Sequence, residues 1–193
     1  MASTILPRDY FERSTLEVAK SLLGKYLVRE TKNGIQAGRI IEVEAYVGPH
    51  DLACHASKGR TKRTEVMFGV PGVAYVYMIY GMYHCFNIVT EREGYAAAVL
   101  VRGIELADSL QGANLISGPG RLCRFLEIDR SLTGWDLTAG KALWLEDRGE
   151  PVSARSVQRS PRIGVEYAGK WAKKPWRFFL KEGVKGYRVR GVG

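Results

Sequence analysis

The sequence predicts a single α+β domain, residues 1–193, in which helices surround a curved, mostly antiparallel β-sheet built from β-hairpins. The length suits one buried core, and 46% hydrophobic with 25% charged residues is an ordinary globular composition. Two short turn signals, Asn33-Gly34 and Gly81-Met82, each separate two strand-like segments, which predicts hairpins. No internal repeat, low-complexity tract or linker divides the chain.

A helix is predicted near the N-terminus. Ser14 can cap it, Glu17 stands three positions later as in a capping box, and Gly24 ends it. Its buried stripe would consist of Leu16, Ala19, Leu22 and Leu23. A second helix is predicted from the Ser-Gly-Pro-Gly segment at 117–120 to about residue 126.

Strands are predicted on both sides of the two turns. The first hairpin would pair residues 25–31 with 35–47, and the second would pair residues 73–80 with 83–90. Further strands are expected at 96–102 and 142–146. A polar, basic loop at 50–66 separates the two hairpins.

The charge balance points to a polyanionic partner. The chain carries 29 Lys+Arg against 20 Asp+Glu, a formal net charge of +9. Nucleic acid is the leading candidate and an anionic membrane surface the second. The charge-free stretch 68–89 is interrupted by Pro71, Gly72, Gly81, His84 and Asn87, which favours a buried hairpin over a membrane span.

The three cysteines, Cys54, Cys85 and Cys123, are an odd number and lie far apart. They are typical of reduced thiols in an intracellular protein. The expected location is therefore the cytoplasm or the nucleus. With nucleic acid as the partner, it would be the cytoplasm in association with the nucleoid if the protein is bacterial, and the nucleus if it is eukaryotic. A monomer is the simplest expectation for a single domain that binds nucleic acid.

The first candidate site is the segment Glu42-Val43-Glu44-Ala45-Tyr46. Because side chains alternate along a strand, Glu42, Glu44 and Tyr46 would share one face. Two buried carboxylates on one face can prepare one of them for proton transfer. A solvent-facing polar strand has the same spacing and is the more common case, so spacing alone leaves both alternatives open.

The second candidate site is the aromatic hairpin at 75–83. Tyr75 and Tyr77 would share a face, whereas Tyr80 and Met82 lie at the turn, where an apolar side chain can act as a wedge between base pairs. Aromatic residues also favour strands as core residues, which is the alternative. Asn87 on the return strand places a polar group in an apolar sheet, and it serves either a pocket or a structural hydrogen bond.

Neither a metal site nor a cofactor site is predicted. Cys54 and His55 are adjacent, and no CxxC or HxxxH pair accompanies them. The glycines at 118 and 120 lack the spacing of a phosphate-binding or dinucleotide-binding loop. His55 is expected to stack or to form a hydrogen bond beside a pocket.

In order along the chain, these segments resemble the alkyladenine (3-methyladenine) DNA glycosylase family of base-excision repair. The similarity spans nearly the whole chain at consistent spacing. The matching residues and segments are 38–49 (GRIIEVEAYVGP), His55, Thr61, Arg63, Met67-Phe68, 75–83 (YVYMIYGMY), Asn87, 99–102 (VLVR), 117–119 (SGP), Leu122-Cys123, 162–165 (RIGV) and 174–178 (KPWRF).

The resemblance implies a role for each matching residue. Glu44 would be the general base that activates a water molecule, and Arg102 would help to hold that water and the carboxylate. Three residues would line the pocket and stack on a flipped base, namely Tyr46, His55 and Tyr77. Asn87 would exclude guanine at the pocket floor, and Tyr80, with Met82 beside it, would fill the gap left in the duplex.

The same resemblance implies a mixed α/β fold and hydrolysis without a Schiff base, a metal or a cofactor. The expected partner is double-stranded DNA that contains damaged purines of the 3-methyladenine, hypoxanthine and ethenoadenine class. No membrane partner is expected. Three alternatives are a carbohydrate glycosidase using Glu42 and Glu44, a Schiff-base glycosylase/lyase, and a non-catalytic nucleic-acid-binding module. None of the three accounts for the whole ordered set of segments.

Overall fold

The computed structural model describes residues 3–106 and 115–181, and in that part of the chain ten strands form one sheet. All recorded pairings are antiparallel. The strands are β1 Thr4–Ile5, β2 Tyr26–Thr31, β3 Gly34–Tyr46, β4 Ala74–Ile79, β5 Tyr83–Thr90, β6 Ala97–Leu106, β7 Leu115–Ser117, β8 Leu143–Asp147, β9 Val157–Ser160 and β10 Arg177–Leu180.

The main path of the sheet runs β1-β8-β2-β3-β6-β5-β4. Two further pieces branch from it, because β10 pairs with the second half of β3 and with β9, and β7 pairs with β6. Strand β3 therefore lies at the centre, with β2 and then β10 on one edge and β6 on the other. The predicted α+β fold with an antiparallel sheet is confirmed.

Helices are few in the described ranges. They are α1 Arg8–Glu12, α2 Thr15–Leu22 and α3 Pro119–Phe125, together with short 3₁₀ turns at His55–Lys58, Glu65–Phe68, Arg130–Leu132, Ala154–Ser156 and Glu166–Trp171. The basic loop predicted at 50–66 therefore contains one 3₁₀ turn, His55–Lys58, and the start of a second, Glu65–Phe68, which extends beyond it. Helix α1 and strands β1, β7, β9 and β10 were not predicted, whereas α3 was.

Helix α2 is confirmed with two corrections. The Ser14 hydroxyl donates to the Glu17 carboxylate at 2.6 Å instead of accepting from a backbone N–H, so only part of a capping box forms. Val18 is fully buried with Ala19 and Leu22, whereas Leu16 is only partly buried and packs at the margin of the core. Gly24 has φ +84°, as expected for the residue that ends a helix.

Both hairpins are confirmed, and both turns differ by one residue from the prediction. In the β2–β3 hairpin Thr31 pairs with Gly34, so Lys32 and Asn33 form the turn and Gly34 (φ +112°) already belongs to β3. In the β4–β5 hairpin Ile79 pairs with Tyr83, which leaves a three-residue tip from Tyr80 to Met82. Tyr80 is in the left-handed region (φ 52°), and Gly81 follows at φ 68°.

The two faces of the central strands have different functions. One face carries the main core, where Val43, Ala45, Val99 and Val101 pack with residues of α2 and α3. The other face carries Glu42, Glu44 and Tyr46 of β3, and Leu100 and Arg102 of β6. Strand alternation therefore places the predicted polar residues together, and the fold covers them instead of exposing them to solvent.

A double irregularity in the β3–β6 pairing lies beside these polar residues. Ile40 pairs with Ile104, Glu42 with Gly103 and Val43 with Val101, so Ile41 is the extra residue on β3 and Arg102 the extra residue on β6. Bulges redirect side chains and are frequent beside active sites. Here the bulge turns the Arg102 side chain toward both carboxylates of β3.

Candidate active site on the polar face of the sheet

A cavity of about 700 Å³ opens on the polar face of the sheet. Five of the candidate residues line it, each from a different element: Tyr46 (β3), His55 (the 3₁₀ turn His55–Lys58), Tyr77 (β4), Asn87 (β5) and Arg102 (β6). Tyr80 stands at its margin, and Met82 is at the same hairpin tip without lining the cavity. Glu44 lies immediately behind the wall, covered by the groups to which it is hydrogen-bonded.

The Glu44 carboxylate is fully buried and accepts three hydrogen bonds. Oε1 accepts from the backbone N–H of Ile163 at 2.8 Å. Oε2 accepts from the Tyr46 hydroxyl at 2.8 Å and from Nη1 of Arg102 at 3.4 Å. Tyr46, Arg102 and Ile163 all line the cavity, so the three groups that bind the carboxylate belong to residues of the cavity wall.

Glu42 is the second buried carboxylate, and it does line the cavity. Its Oε1 accepts from Nε of Arg102 at 3.2 Å and from Nε of Arg177 at 2.6 Å. Arg102 therefore spans both carboxylates with two different nitrogens. The two glutamates raise the pKa of the Arg102 guanidinium against the opposing effect of burial, which fixes it as a cation.

The loop that carries Ile163 is held by a buried ion pair. Arg162 donates to both oxygens of Asp51 and to the Ala45 carbonyl at 2.9 Å, and the side chains of Arg162 and Asp51 are both 0% exposed. Its guanidinium also lies 4.8 Å from the centre of the Tyr46 ring. The ion pair thus fixes the loop that carries one donor to Glu44, the Ile163 N–H. Its guanidinium also packs against the ring of another donor, Tyr46.

Three aromatic side chains form one wall of the cavity. The His55 and Tyr77 rings meet edge to face at 4.5 Å between centroids, and Tyr75 lies 5.5 Å from Tyr77. Nδ1 of His55 is 2.9 Å from the Tyr75 hydroxyl, and Nε2 is 3.4 Å from Nη2 of Arg63. Because a guanidinium can only donate, Nε2 accepts and Nδ1 carries the proton that binds Tyr75.

The wall and Tyr46, which also lines the cavity, are electrically neutral at physiological pH. Burial raises the pKa of Tyr75, which stays protonated. Burial, followed by the nearby Arg63 and Lys58, lowers the pKa of His55 to about 4. Burial also raises the pKa of Tyr46 and of Tyr77 well above 10, with Glu44 adding to the effect in both cases. The imidazole is therefore uncharged and both phenols remain protonated.

Asn87 is oriented by the backbone of the hairpin. Its Nδ2 donates to the carbonyls of Tyr75 at 3.0 Å and Cys85 at 3.2 Å, and the residue is 3% exposed. Both alternatives from the sequence therefore apply, because the amide makes structural hydrogen bonds and also lines the cavity. Since both amide protons are already donated, Asn87 can act on a ligand only through its bulk, which is fixed in place, and as an acceptor through its side-chain carbonyl oxygen.

The hairpin tip presents apolar side chains to solvent. Tyr80 is 86% exposed and Met82 is 64% exposed, values that a core role cannot explain. The neighbouring Tyr83 packs against the start of α3, where a Cβ added to Gly120 would lie 3.0 Å from its ring. The tip is thus anchored at its base and free at its end.

No cluster of three or more His, Cys, Asp or Glu side chains suited to a metal ion occurs in residues 3–106 and 115–181. Burial raises the pKa of the Cys54 thiol to about 11, so it is a poor source of a thiolate ligand. In the same ranges no helix combines the length and the apolar composition needed to cross a membrane.

Three residues of the site were missed by reasoning from spacing, namely Asp51, Arg162 and Arg177. Asp51 and Arg162 are 111 positions apart, and Arg177 is 135 positions from Glu42. Such pairings arise only from tertiary structure. The single signal available was that the segments 162–165 and 174–178 belong to the motifs that carry the family resemblance.

Comparison with known proteins agrees with this resemblance. Residues 9–183 match the family model described as "Methylpurine-DNA glycosylase (MPG)". A protein of Methanocella arvoryzae named "Putative 3-methyladenine DNA glycosylase" is 52% identical over 188 residues, which cover 92% of each chain. A protein of the same name from Myxococcus xanthus is 51% identical over 92% of this chain and 90% of its own.

A further relative of that name, from Carboxydothermus hydrogenoformans, is 48% identical over 92% of this chain and 95% of its own. The match extends over the strands and loops that build the cavity. It favours an enzyme over the non-catalytic binding module. The chain therefore belongs to the methylpurine-DNA glycosylase family and is a DNA N-glycosylase, a hydrolase of base-excision repair.

Proposed function

We propose that this enzyme acts as a monomer on double-stranded DNA, flips an alkylated or deaminated purine into the cavity and hydrolyses its N-glycosidic bond with a water activated by Glu44. The substrates would belong to the 3-methyladenine, hypoxanthine and ethenoadenine class, and the enzyme would meet them in a bacterial nucleoid or a eukaryotic nucleus. The observation that carries the proposal is the convergence of a buried glutamate, an aromatic cavity and an exposed aromatic hairpin tip on one face.

Binding to DNA is supported by the net charge of +9 and by the shape of the tip. A base inside a duplex is out of reach, so it must be extruded at a cost of a few kcal/mol. Stacking of an aromatic side chain on a base is worth roughly 1–3 kcal/mol, which offsets much of that cost. Tyr80 is the side chain placed to fill the gap, with Met82 as a second apolar contact beside it.

Selection of damaged bases follows from the neutral aromatic wall. Methylation of purine nitrogens gives a cationic base, which the faces of Tyr46 and Tyr77 attract. A protonated His55 would repel that cation, and its lowered pKa prevents this. Asn87 would exclude guanine sterically, because its amide is held by two backbone carbonyls and cannot move aside to make room for the exocyclic amino group.

Glu44 is suited to general-base chemistry because three donors stabilise its charge in a buried position. A water bound between the cavity and Oε2 would add to the anomeric carbon of the sugar and pass its proton to Glu44. The bond to the purine breaks, and the electron pair leaves with the base. Positive charge develops on the sugar in this step, and the ionised carboxylate stabilises it.

Arg102 would position this water through the nitrogen that reaches Oε2 at 3.4 Å, a distance at the long end of hydrogen bonding. A cationic purine leaves as a neutral molecule and needs no acid. A neutral base such as hypoxanthine leaves more slowly unless a proton is supplied. Lesions with a charged base should therefore be released faster than neutral ones.

The test is base release from defined duplexes. Oligonucleotides with one hypoxanthine or one ethenoadenine, and a methylated DNA pool, are incubated with the wild type and with Glu44→Gln. We expect release by the wild type and a loss of at least 100-fold in Glu44→Gln, the range of general-base catalysis. Glu17→Gln, an exposed carboxylate of α2, serves as the matched control with unchanged release.

Duplex affinity must be measured for both variants. Glu44→Gln should still bind lesion duplex, since the substitution removes a charge and not the aromatic wall. Wild-type protein that binds duplex and releases no base from any of the three substrates would contradict the proposal. Borohydride trapping of a protein–DNA adduct would instead reveal Schiff-base chemistry.

A further inference from the structure

The two carboxylates of β3 are not equivalent. Glu44 is fully covered by its three donors, whereas Glu42 is part of the cavity wall. The proposed reaction uses Glu44 and leaves Glu42 without a task. A buried charge is costly unless it is paired, so the presence of Glu42 at this position requires an explanation.

Glu42 is held by two arginines through a single oxygen. Nε of Arg177 lies 2.6 Å and Nε of Arg102 lies 3.2 Å from Oε1. Arg102 then reaches Glu44 with Nη1 at 3.4 Å. The cluster contains two carboxylates and two guanidinium groups, so its formal charge is zero, and without Glu42 it would be +1.

A glycine opposite Glu42 leaves room for its side chain beside Arg102. Glu42 pairs with Gly103, where an added Cβ would lie 3.3 Å from Cβ of Glu42. Arg102 is the extra residue of the bulge immediately beside this pair. A side chain at 103 would make a tight contact with Glu42, which would have to shift slightly to make room.

We propose that Glu42 is a positioning residue for the glycosylase reaction. Its carboxylate binds Nε of Arg102, and this prevents the guanidinium from turning to form a bidentate ion pair with Glu44. It also balances the charge of Arg177 near the sugar, where positive charge develops in the reaction. This inference rests on the proposed function, because it assumes that Glu44 is the base.

The distinguishing experiment is the pH–rate profile of Glu42→Gln in single-turnover base release at saturating enzyme. Without the negative charge at 42, Arg102 turns to Glu44 and the base holds its proton less tightly. We expect the rate to fall by about tenfold and the acidic limb of the profile to move about one pH unit lower. In the described part of the chain, the titratable or charged groups that face Glu44 are Glu42, Tyr46, Tyr77, Cys85, Arg102, Arg162 and, opposite it on β10, Arg177.

Arg177→Gln provides the opposite change. Without Arg177, Glu42 draws Arg102 more strongly, so the acidic limb should move to higher pH. The double variant Glu42→Gln/Arg177→Gln restores zero formal charge and should recover part of the rate lost in Glu42→Gln. If Glu42 has a purely structural role, the rate losses of Glu42→Gln and Arg177→Gln should add in the double variant, and the acidic limb should stay in place in both single variants.

Folding is checked by thermal unfolding of each variant. If Glu42→Gln does not fold, Glu42→Asp keeps the charge and must keep the acidic limb in place even if its rate is lower. A Glu42→Gln enzyme with the wild-type rate and limb, beside an inactive Glu44→Gln, would overturn this inference alone. An active Glu44→Gln beside an inactive Glu42→Gln would overturn the assignment of the base as well.

Discussion

The buried pair of Arg162 and Asp51 allows a quantitative prediction for Arg162→Leu. Both side chains are 0% exposed, and within residues 3–106 and 115–181 the further donors to Asp51 are the backbone N–H groups of Val47 and Ala53. Removing one partner of such a pair leaves an uncompensated buried charge and costs about 3–5 kcal/mol. For a chain of this length each kcal/mol corresponds to about 2–4 °C, so Tm should fall by roughly 6–20 °C.

Thermal unfolding followed by circular dichroism, with urea unfolding at 25 °C, measures this loss. The matched control is Arg60→Gln, which breaks an exposed pair with Glu65 in which both side chains are more than 60% exposed. That control should change stability by no more than about 1 kcal/mol. A loss in Arg162→Leu no larger than in the control would refute the reasoning. The double variant Asp51→Asn/Arg162→Leu should regain part of the loss, because no isolated charge is left.

Three further predictions concern single residues. The pKa of His55 is about 4 when folded against 6.5 when unfolded, so the unfolded chain binds the proton more readily. The free energy of unfolding should therefore decrease by up to about 3 kcal/mol as pH falls from 6.5 to about 4. His55→Gln should flatten this dependence. A His55 titration midpoint above pH 6 by NMR would contradict the prediction. Tyr80→Ala should weaken binding to lesion duplex by about 5- to 150-fold without changing Tm. The control Ile35→Ala truncates another exposed apolar side chain, 64% exposed against 86% for Tyr80, in the other hairpin, and it should leave both duplex affinity and Tm unchanged. The buried Cys54 thiol, with its pKa near 11, should react with a thiol reagent at pH 8 only as fast as the protein unfolds, and rapid labelling in native buffer would be inconsistent with its burial.

The sequence predicts the hairpins well because their information is local. Short turns and alternating side chains define β2 to β5, and alternation alone places Glu44 and Tyr46 on one face. The turn after β2 is displaced by one residue because Gly34 takes its left-handed conformation at the first strand position instead of inside the turn.

Strands β9 and β10 are of another kind. Each is four residues long and lies close to a proline, Pro161 or Pro175, so neither carries a periodic signal. Their positions come from tertiary pairing, because β10 pairs with β3 and β9 pairs in turn with β10. The donors of Glu44 illustrate the same limit. Tyr46 is two positions away and follows from alternation, whereas the Ile163 N–H is 119 positions away and comes from a loop whose location depends on Arg162.

The central location of β3 has a consequence for hydrogen exchange. Between Glu42 and Glu44 the strand is paired on both edges, with β6 and with β10, whereas the β4–β5 hairpin lies at the end of the sheet. Amides of β3 around Glu42 and Glu44 should therefore exchange only through global unfolding, and those of the hairpin tip through local opening. In the proposed reaction, β3 would then stay rigid while the neighbouring hairpin tip can adjust. The large movement in base flipping would be made by the nucleotide and not by the protein.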